Sequence, residues 1–180
     1  MSTLLPKTSH EFSSEKYWKE FFKKQGDSAF EWYAEYKDVR VCLEKYLKPS
    51  DKILQIGCGN SNLAENLYDA GYKNVTSIDI ENTVIVKKEA ENRVKRPELT
   101  WACMDARKTV YPDGLYTAIV DKGTLDALFP PDAAPDLVEK VECLFGEMNR
   151  LLQAGVGRYI TISLCQPHIV GKWLEVFKNL

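Results

Sequence analysis

Histidine is scarce in this sequence, and its cysteines form no recognisable pairs. Of 180 residues only two, His10 and His168, are histidines, so we expect no histidine-based metal site. The five cysteines are an odd number and include no C-x-x-C pair, which argues against a disulfide framework. Reduced thiols are typical of cytoplasmic proteins, and we predict that location.

An excess of one charge and long apolar runs are also lacking. The formal net charge is −2 at pH 7, so the chain has no global attraction to nucleic acid or to an anionic membrane. No apolar run approaches the roughly 20 residues that a membrane-spanning helix requires. We therefore expect neither a nucleic-acid partner nor a membrane partner.

Two different sequence patterns divide the chain. In SSEKYWKEFFKK, near the N-terminus, the aromatic residues recur one helical turn apart and form one apolar face. From Asp51 onward, short apolar runs alternate with helical patterns. We predict one structural unit with an N-terminal helical cap over residues 1–50 and a cofactor-binding α/β domain over residues 51–180.

Five apolar runs in the second part predict strands: KILQI, NVTSI, LTWACM, YTAIV and RYITISL. Strands that alternate with helices indicate a parallel sheet covered by helices on both faces. In such sheets ligands bind outside the carboxyl ends of the strands, near the point where the strand order reverses. The residues that follow each strand are therefore the candidates for a ligand site.

Glycines and carboxylates follow four of the predicted strands. Strand one runs into the turn GCGNS at residues 57–61, and strands two, three and four end in Asp79, Asp105 and Asp121. A single strand-end aspartate is more often a helix cap. All four features would lie at one edge of a parallel sheet, which favours a ligand site over four separate caps.

An adenosyl ligand fits the spacing of these residues. Gly57 and Gly59 let the backbone approach a ligand closely, and amides at the start of the next helix can bind a carboxylate. Asp79 follows Gly57 at the spacing of an acid that binds both hydroxyls of a ribose. Asp105 would accept a hydrogen bond from the exocyclic amine of adenine, with Ala106 beside it.

The signals for phosphate binding are missing. Asn62 stands where the dinucleotide fingerprint has its third glycine, and no lysine followed by serine or threonine comes after the glycines. S-adenosylmethionine carries no phosphate and therefore fits the turn better. A nicotinamide-dependent oxidoreductase is one alternative, and a truncated cofactor-binding module without turnover is another.

Several motifs carry a resemblance to a known family. LQIGCGNS, SIDI, MDARK and DKGTLDAL are similar to the class I S-adenosylmethionine-dependent methyltransferases that modify eukaryotic elongation factor 1 alpha. EKYWKEFFKKQGDSAFEWY is similar to the N-terminal cap of that family. The resemblance implies a Rossmann-like α/β fold with a parallel sheet in the order 3-2-1-4-5, and transfer of methyl groups to a lysine of the elongation factor.

The same resemblance implies which residues contact the cofactor. The matching positions are Trp18, Phe22, Trp32, Gly57, Asp79, Ile80, Asp105, Ala106 and Lys122. To these we add Gly59 and Asn60 of the glycine turn. Aromatic rings around such a cofactor have a physical reason, because its sulfonium is a cation and rings attract cations.

The implied reaction needs a neutral lysine amine, whose ordinary pKa is about 10.4. The site must therefore help to remove a proton before the amine attacks the methyl group. We predict Asp121 as the catalytic acceptor, with Asp126 as the second choice. Many methyltransferases carry an acid on strand one, where this chain has Gln55.

The C-terminal part departs from the family pattern. The fold usually has seven strands, but only about 16 residues follow the predicted strand five. We therefore expect strands six and seven to be missing and the domain to be incomplete at its C-terminal end.

Overall fold

A five-stranded parallel sheet forms the centre of the computed structural model, which describes residues 6, 8–26 and 28–178. The strands are β1 (Ile53–Ile56), β2 (Val75–Asp79), β3 (Thr100–Cys103), β4 (Ala118–Lys122) and β5 (Arg158–Ile162). Their order is β3-β2-β1-β4-β5, and all neighbours are parallel. The predicted fold class and strand order are confirmed.

Helices precede the sheet and connect its strands. A 3₁₀ helix (Ser9–Ser13), α1 (Glu15–Gln25) and α2 (Tyr36–Tyr46) belong to the predicted cap. The others are α3 (Leu63–Asp69), α4 (Asn82–Asn92), α5 (Thr124–Leu128), α6 (Pro135–Leu151) and α7 (Pro167–Phe177). Among the described residues, no helix is long and apolar enough to cross a membrane.

Local sequence signals explain where several helices begin. Ser14 precedes α1, and its side chain accepts a hydrogen bond from the amide of Tyr17, as a helix cap does. Pro135 and Pro167 open α6 and α7, where a missing amide hydrogen costs nothing.

The two faces of the sheet bury two separate hydrophobic clusters. The first contains Leu43 of α2 and Leu63 of α3, and the second contains Leu144 of α6 and Ile169 of α7. Because successive strand residues point to opposite faces, Ile53 of β1 belongs to the first cluster and Ile56 to the second. The cap therefore shares its core with the sheet through α2.

The strand order reverses at β1, which lies between β2 and β4. In this register Ile56 pairs with Ile78 on one side and with Asp121 on the other. The next layer toward the carboxyl ends holds Gly57, Asp79 and Lys122. That layer forms the edge at which a ligand site was predicted.

Strand β4 ends later than its sequence pattern suggested. The sequence predicted an end at Asp121, but the observed strand extends through Lys122. Charged residues favour a loop when they face water, yet both of these side chains are buried. The short helix α5, which follows directly, was not predicted.

Candidate functional site

A cavity of about 430 Å³ opens at the carboxyl ends of β1, β2 and β4. Its walls come from the glycine turn, the ends of β2 and β4, the loop after β3 and the N-terminal cap. All eleven predicted cofactor contacts lie in these walls. They are Trp18, Phe22, Trp32, Gly57, Gly59, Asn60, Asp79, Ile80, Asp105, Ala106 and Lys122.

The glycine turn requires glycine at both ends. Gly57 and Gly59 have φ values of +55° and +50°, in the left-handed region that L side chains rarely adopt. A Cβ atom on Gly57 would collide with the side chain of Thr124. One on Gly59 would lie 3.1 Å from Cζ of Phe22. The turn therefore packs closely against both α5 and the cap.

Asp79 holds the glycine turn to the end of β2. Its Oδ2 accepts from the amide of Gly59 at 2.8 Å, and its Oδ1 accepts from the amide of Glu81 at 2.9 Å. Burial raises the pKa of Asp79, and these amides act in the opposite direction. Its carboxylate lies in the cavity wall, where it can also accept from ligand hydroxyls.

Asp105 is held by a neighbouring arginine. Arg107 donates from Nε to Oδ1 at 2.9 Å and from Nη2 to Oδ2 at 2.7 Å. Burial alone would raise the pKa of Asp105, but the hydrogen bonds from Arg107 outweigh it and lower the pKa. A ligand amine at this carboxylate would share it with the guanidinium.

Aromatic rings of the cap form one side of the cavity. Trp18 stacks on Phe22 with ring centroids 5.9 Å apart, and Trp32 meets Trp18 edge to face at 5.9 Å. The indole nitrogen of Trp18 donates to the carbonyl of Phe12 at 2.7 Å. The rings are therefore fixed in orientation, and such a wall attracts a cationic ligand group.

Residues 28–33, which we call the strap, connect this wall to the glycine turn. Asn60 Nδ2 donates to the carbonyl of Ser28 at 2.7 Å, and Asn60 Oδ1 accepts from the amide of Phe30 at 3.3 Å. The side chain of Asn60 thus binds the strap.

Glu31 of the strap accepts hydrogen bonds from residues at the ends of β1 and β4. Lys122 Nζ and Ser61 Oγ both donate to its Oε2 at 2.7 Å, and the amide of Asn62 donates to its Oε1 at 2.7 Å. The prediction that amides at the start of α3 bind a ligand carboxylate needs correction here, because a protein carboxylate already occupies the amide of Asn62.

Gln55 lies in the cavity wall at the position where an acid is common. Its side chain is almost fully buried, and its Oε1 accepts from Ser77 Oγ at 3.0 Å. The amide nitrogen of Gln55 can donate a hydrogen bond to a ligand, whereas an acid in this position would accept one.

Comparison with known proteins identifies the family. Residues 53–155 match the family described as "Methyltransferase domain". The chain belongs to this methyltransferase family. It is 44% identical over 176 residues to the human eEF1A lysine and N-terminal methyltransferase. The match covers 98% of this chain and 25% of that protein. The predicted family resemblance is confirmed.

Other relatives and solved structures agree. The chain is 34% identical over 170 residues to mouse eEF1A lysine methyltransferase 4, covering 91% of this chain and 66% of that protein. An S-adenosylmethionine-dependent methyltransferase from Methanosarcina mazei shares the fold, with a TM-score of 0.57 and 20% identity over 81% of this chain and 66% of that one. The chain spans about a quarter of the length of the first curated relatives.

The structure places Asp121 away from the cavity. Asp121 is fully buried and absent from the cavity wall. Its carboxylate accepts from the amides of Thr124 and Leu125 at the start of α5, and from Tyr159 Oη at 2.8 Å. The predicted catalytic assignment is therefore corrected: Asp121 caps α5, since its side chain leaves β4 on the face opposite to that of Lys122.

Asp126, the second choice, does lie in the cavity wall. Its Oδ1 accepts from Ser163 Oγ at 2.9 Å, while its Oδ2 is buried and has no hydrogen-bond partner among the described residues. Burial raises the pKa of Asp126, partly offset by the hydrogen bond from Ser163. The carboxylate has unused capacity to accept a proton or a hydrogen bond.

Glu31 is a residue of the site that the sequence did not reveal. It lies about 30 residues before the glycine turn, and only tertiary packing brings it to Ser61. The available signal was a single acid inside the aromatic run FEWY. An acid enclosed by aromatic residues is expected to have a buried partner.

Proposed function

We propose that this chain is an S-adenosylmethionine-dependent protein methyltransferase that modifies a lysine of eukaryotic elongation factor 1 alpha. The observation that carries the proposal is the gathering of all eleven predicted cofactor contacts around one cavity. Family membership favours methyl transfer over the hydride transfer of the nicotinamide alternative. The substrate follows from relatives that are named for this elongation factor.

Each group of cavity residues has a physical task in this function. The cofactor supplies an electrophilic methyl group when it is bound. Asp79 would bind the ribose hydroxyls, while Asp105 and Ala106 would lie beside the adenine. Trp18 and Trp32 would exclude water and stabilise the positive charge. Most of the rate then comes from holding the amine and the methyl group in line.

We assign the proton acceptor to Asp126 in place of Asp121. Asp126 lies in the cavity, and its carboxylate can accept from a substrate ammonium, whereas Asp121 is fully engaged beneath α5. The raised pKa of Asp126 makes it a better base than an exposed aspartate. A cytoplasmic enzyme is consistent with five free cysteines.

A labelled-methyl transfer assay on purified elongation factor 1 alpha tests the proposal. We expect wild-type protein to label the factor and Asp126→Asn to lower kcat by about 100-fold, in the range of general-base losses. Binding of S-adenosylhomocysteine should stay within threefold, because Asp126 does not hold the cofactor.

Three results would contradict parts of this proposal. Cofactor binding without any transfer would support the alternative of a binding module without turnover. Labelling of another protein but not of the elongation factor would reject the substrate. Full activity of Asp126→Asn would reject the assigned base. Asp136→Asn, an exposed surface substitution, is the control for loss of charge.

A further inference from the structure

The carboxylate of Glu31 joins three parts of the chain that are distant in sequence. It accepts from Ser61 Oγ and the amide of Asn62, just after β1, and from Lys122 Nζ at the end of β4. Lys122 Nζ also donates to the carbonyl of Trp32 at 3.0 Å. This one carboxylate therefore fixes the strap to the ends of both β1 and β4.

Burial makes this ion pair sensitive to the loss of either partner. The side chain of Lys122 is 4% exposed and that of Glu31 is 18% exposed. Removing one partner of a buried pair leaves an uncompensated charge in a medium of low dielectric constant. The attachment of the strap therefore depends on both partners, whereas exposed ion pairs contribute little.

Glu31 does not itself lie in the cavity wall, but residues on either side of it do. Phe30 and Trp32 are both in the wall, and their rings lie 4.8 Å apart at the centroids. Asn60 adds a second tie through the backbone of Ser28 and Phe30. The position of these rings over the glycine turn therefore depends on contacts that Glu31 and Asn60 make.

We propose that Glu31 is a positioning residue for cofactor binding, which locks the strap and its aromatic rings over the glycine turn. The inference rests on the proposed function, because it takes S-adenosylmethionine as the cofactor. A strap held in place before binding lowers the ordering cost that the cofactor must otherwise overcome. Cofactor binding and strap attachment then reinforce each other reciprocally.

Calorimetry with S-adenosylhomocysteine tests this inference on the whole chain. Glu31→Gln keeps the shape of the side chain but loses the charge that Lys122 requires. We expect at least a tenfold weaker affinity, a matching rise in the KM for S-adenosylmethionine, and a kcat at saturating cofactor within threefold of wild type. Glu44→Gln, which breaks an exposed ion pair with Arg40, is the matched control and should bind normally.

Limited proteolysis gives a second readout that a merely structural role would not produce. Trypsin should cut at Lys23 and Lys24, which are exposed at the end of α1. We expect S-adenosylhomocysteine to slow this cleavage in wild type and in Glu44→Gln. Glu31→Gln should lose that protection at a concentration that saturates its own binding.

The outcomes separate this inference from the proposed function. Wild-type protein that binds no S-adenosylhomocysteine would overturn both. Normal wild-type binding with Glu31→Gln within twofold would overturn the role of Glu31 alone. If Glu31→Gln unfolds, the added change Lys122→Met removes the unpaired cation. The double variant must then bind at least tenfold more weakly than Lys122→Met, and equal affinities would reject the inference.

Discussion

Asp79 and Asp121 stand at the carboxyl ends of two parallel strands, and both are almost fully buried. Asp79 lies in the cavity wall and ties down the glycine turn, whereas Asp121 is outside the wall and caps α5. Both accept from two backbone amides, and Asp121 accepts in addition from Tyr159 Oη. Their different roles follow from their positions along the strands.

Strand register explains why the two aspartates differ. Asp121 pairs with Ile56, and Ile56 pairs with Ile78, so Asp121 lies one layer deeper in the sheet than Asp79. A shift of one residue moves a side chain to the opposite face of a sheet. Asp121 therefore points toward α5 and Tyr159, and Lys122 takes the layer that corresponds to Asp79.

Replacing Asp79 should have the largest effect. Asp79→Ala removes the acceptor for the amide of Gly59 and the expected partner of two ribose hydroxyls. We expect affinity for S-adenosylhomocysteine to fall by about 1,000-fold, the loss of two or more charged hydrogen bonds, as measured by calorimetry. Asp69→Ala, at an exposed ion pair with Arg96, should bind normally. An affinity within tenfold of wild type would show that Asp79 only supports the turn.

The pH dependence of the unfolding free energy should show the raised pKa of Asp121. Burial raises its pKa to about 6 from an ordinary 3.8, so between these pH values the folded state keeps a proton that the unfolded state has lost. The stability contributed by this group therefore falls as pH rises through that window, by up to about 3 kcal/mol. Asp121→Asn cannot titrate and lacks this fall.

Urea unfolding of the wild type and Asp121→Asn at pH 4 and pH 7 measures that difference. As pH rises, the unfolding free energy of the variant should increase relative to that of the wild type. Its affinity for S-adenosylhomocysteine should stay within threefold of wild type. A constant stability difference would contradict the raised pKa, and a loss of cofactor affinity like that of Asp79→Ala would remove the contrast between the two aspartates.

The smallest effect is expected at Tyr159. Tyr159→Phe removes the hydroxyl that donates to Asp121 but keeps the ring that packs against Trp173 and Phe177. We expect a loss of about 1 kcal/mol in the free energy of unfolding at pH 7. The pKa of Asp121 should rise further, since this hydrogen bond lowers it. Tyr46→Phe on the exposed end of α2 is the control, and equal losses in both variants would contradict the prediction.

Much of the fold and the cavity could be predicted because their signals are local. Alternating apolar runs indicated a parallel sheet, and the glycines at residues 57 and 59 marked its ligand edge. The end of β4 was predicted one residue too early, at Asp121, because Lys122 is buried only through partners elsewhere in the chain. Glu31 was missed for the same reason, since its donors come from two distant segments.

The ion pair between Glu31 and Lys122 spans 91 residues, which orders events during synthesis. The aromatic rings of the cap emerge from the ribosome first, and β4 follows only after three strands have been made. Until then Lys122 is not available to bind the backbone beside these rings, and the sheet lacks the end of β4. The wall that Glu31 holds can therefore be fixed only after β4 has been made.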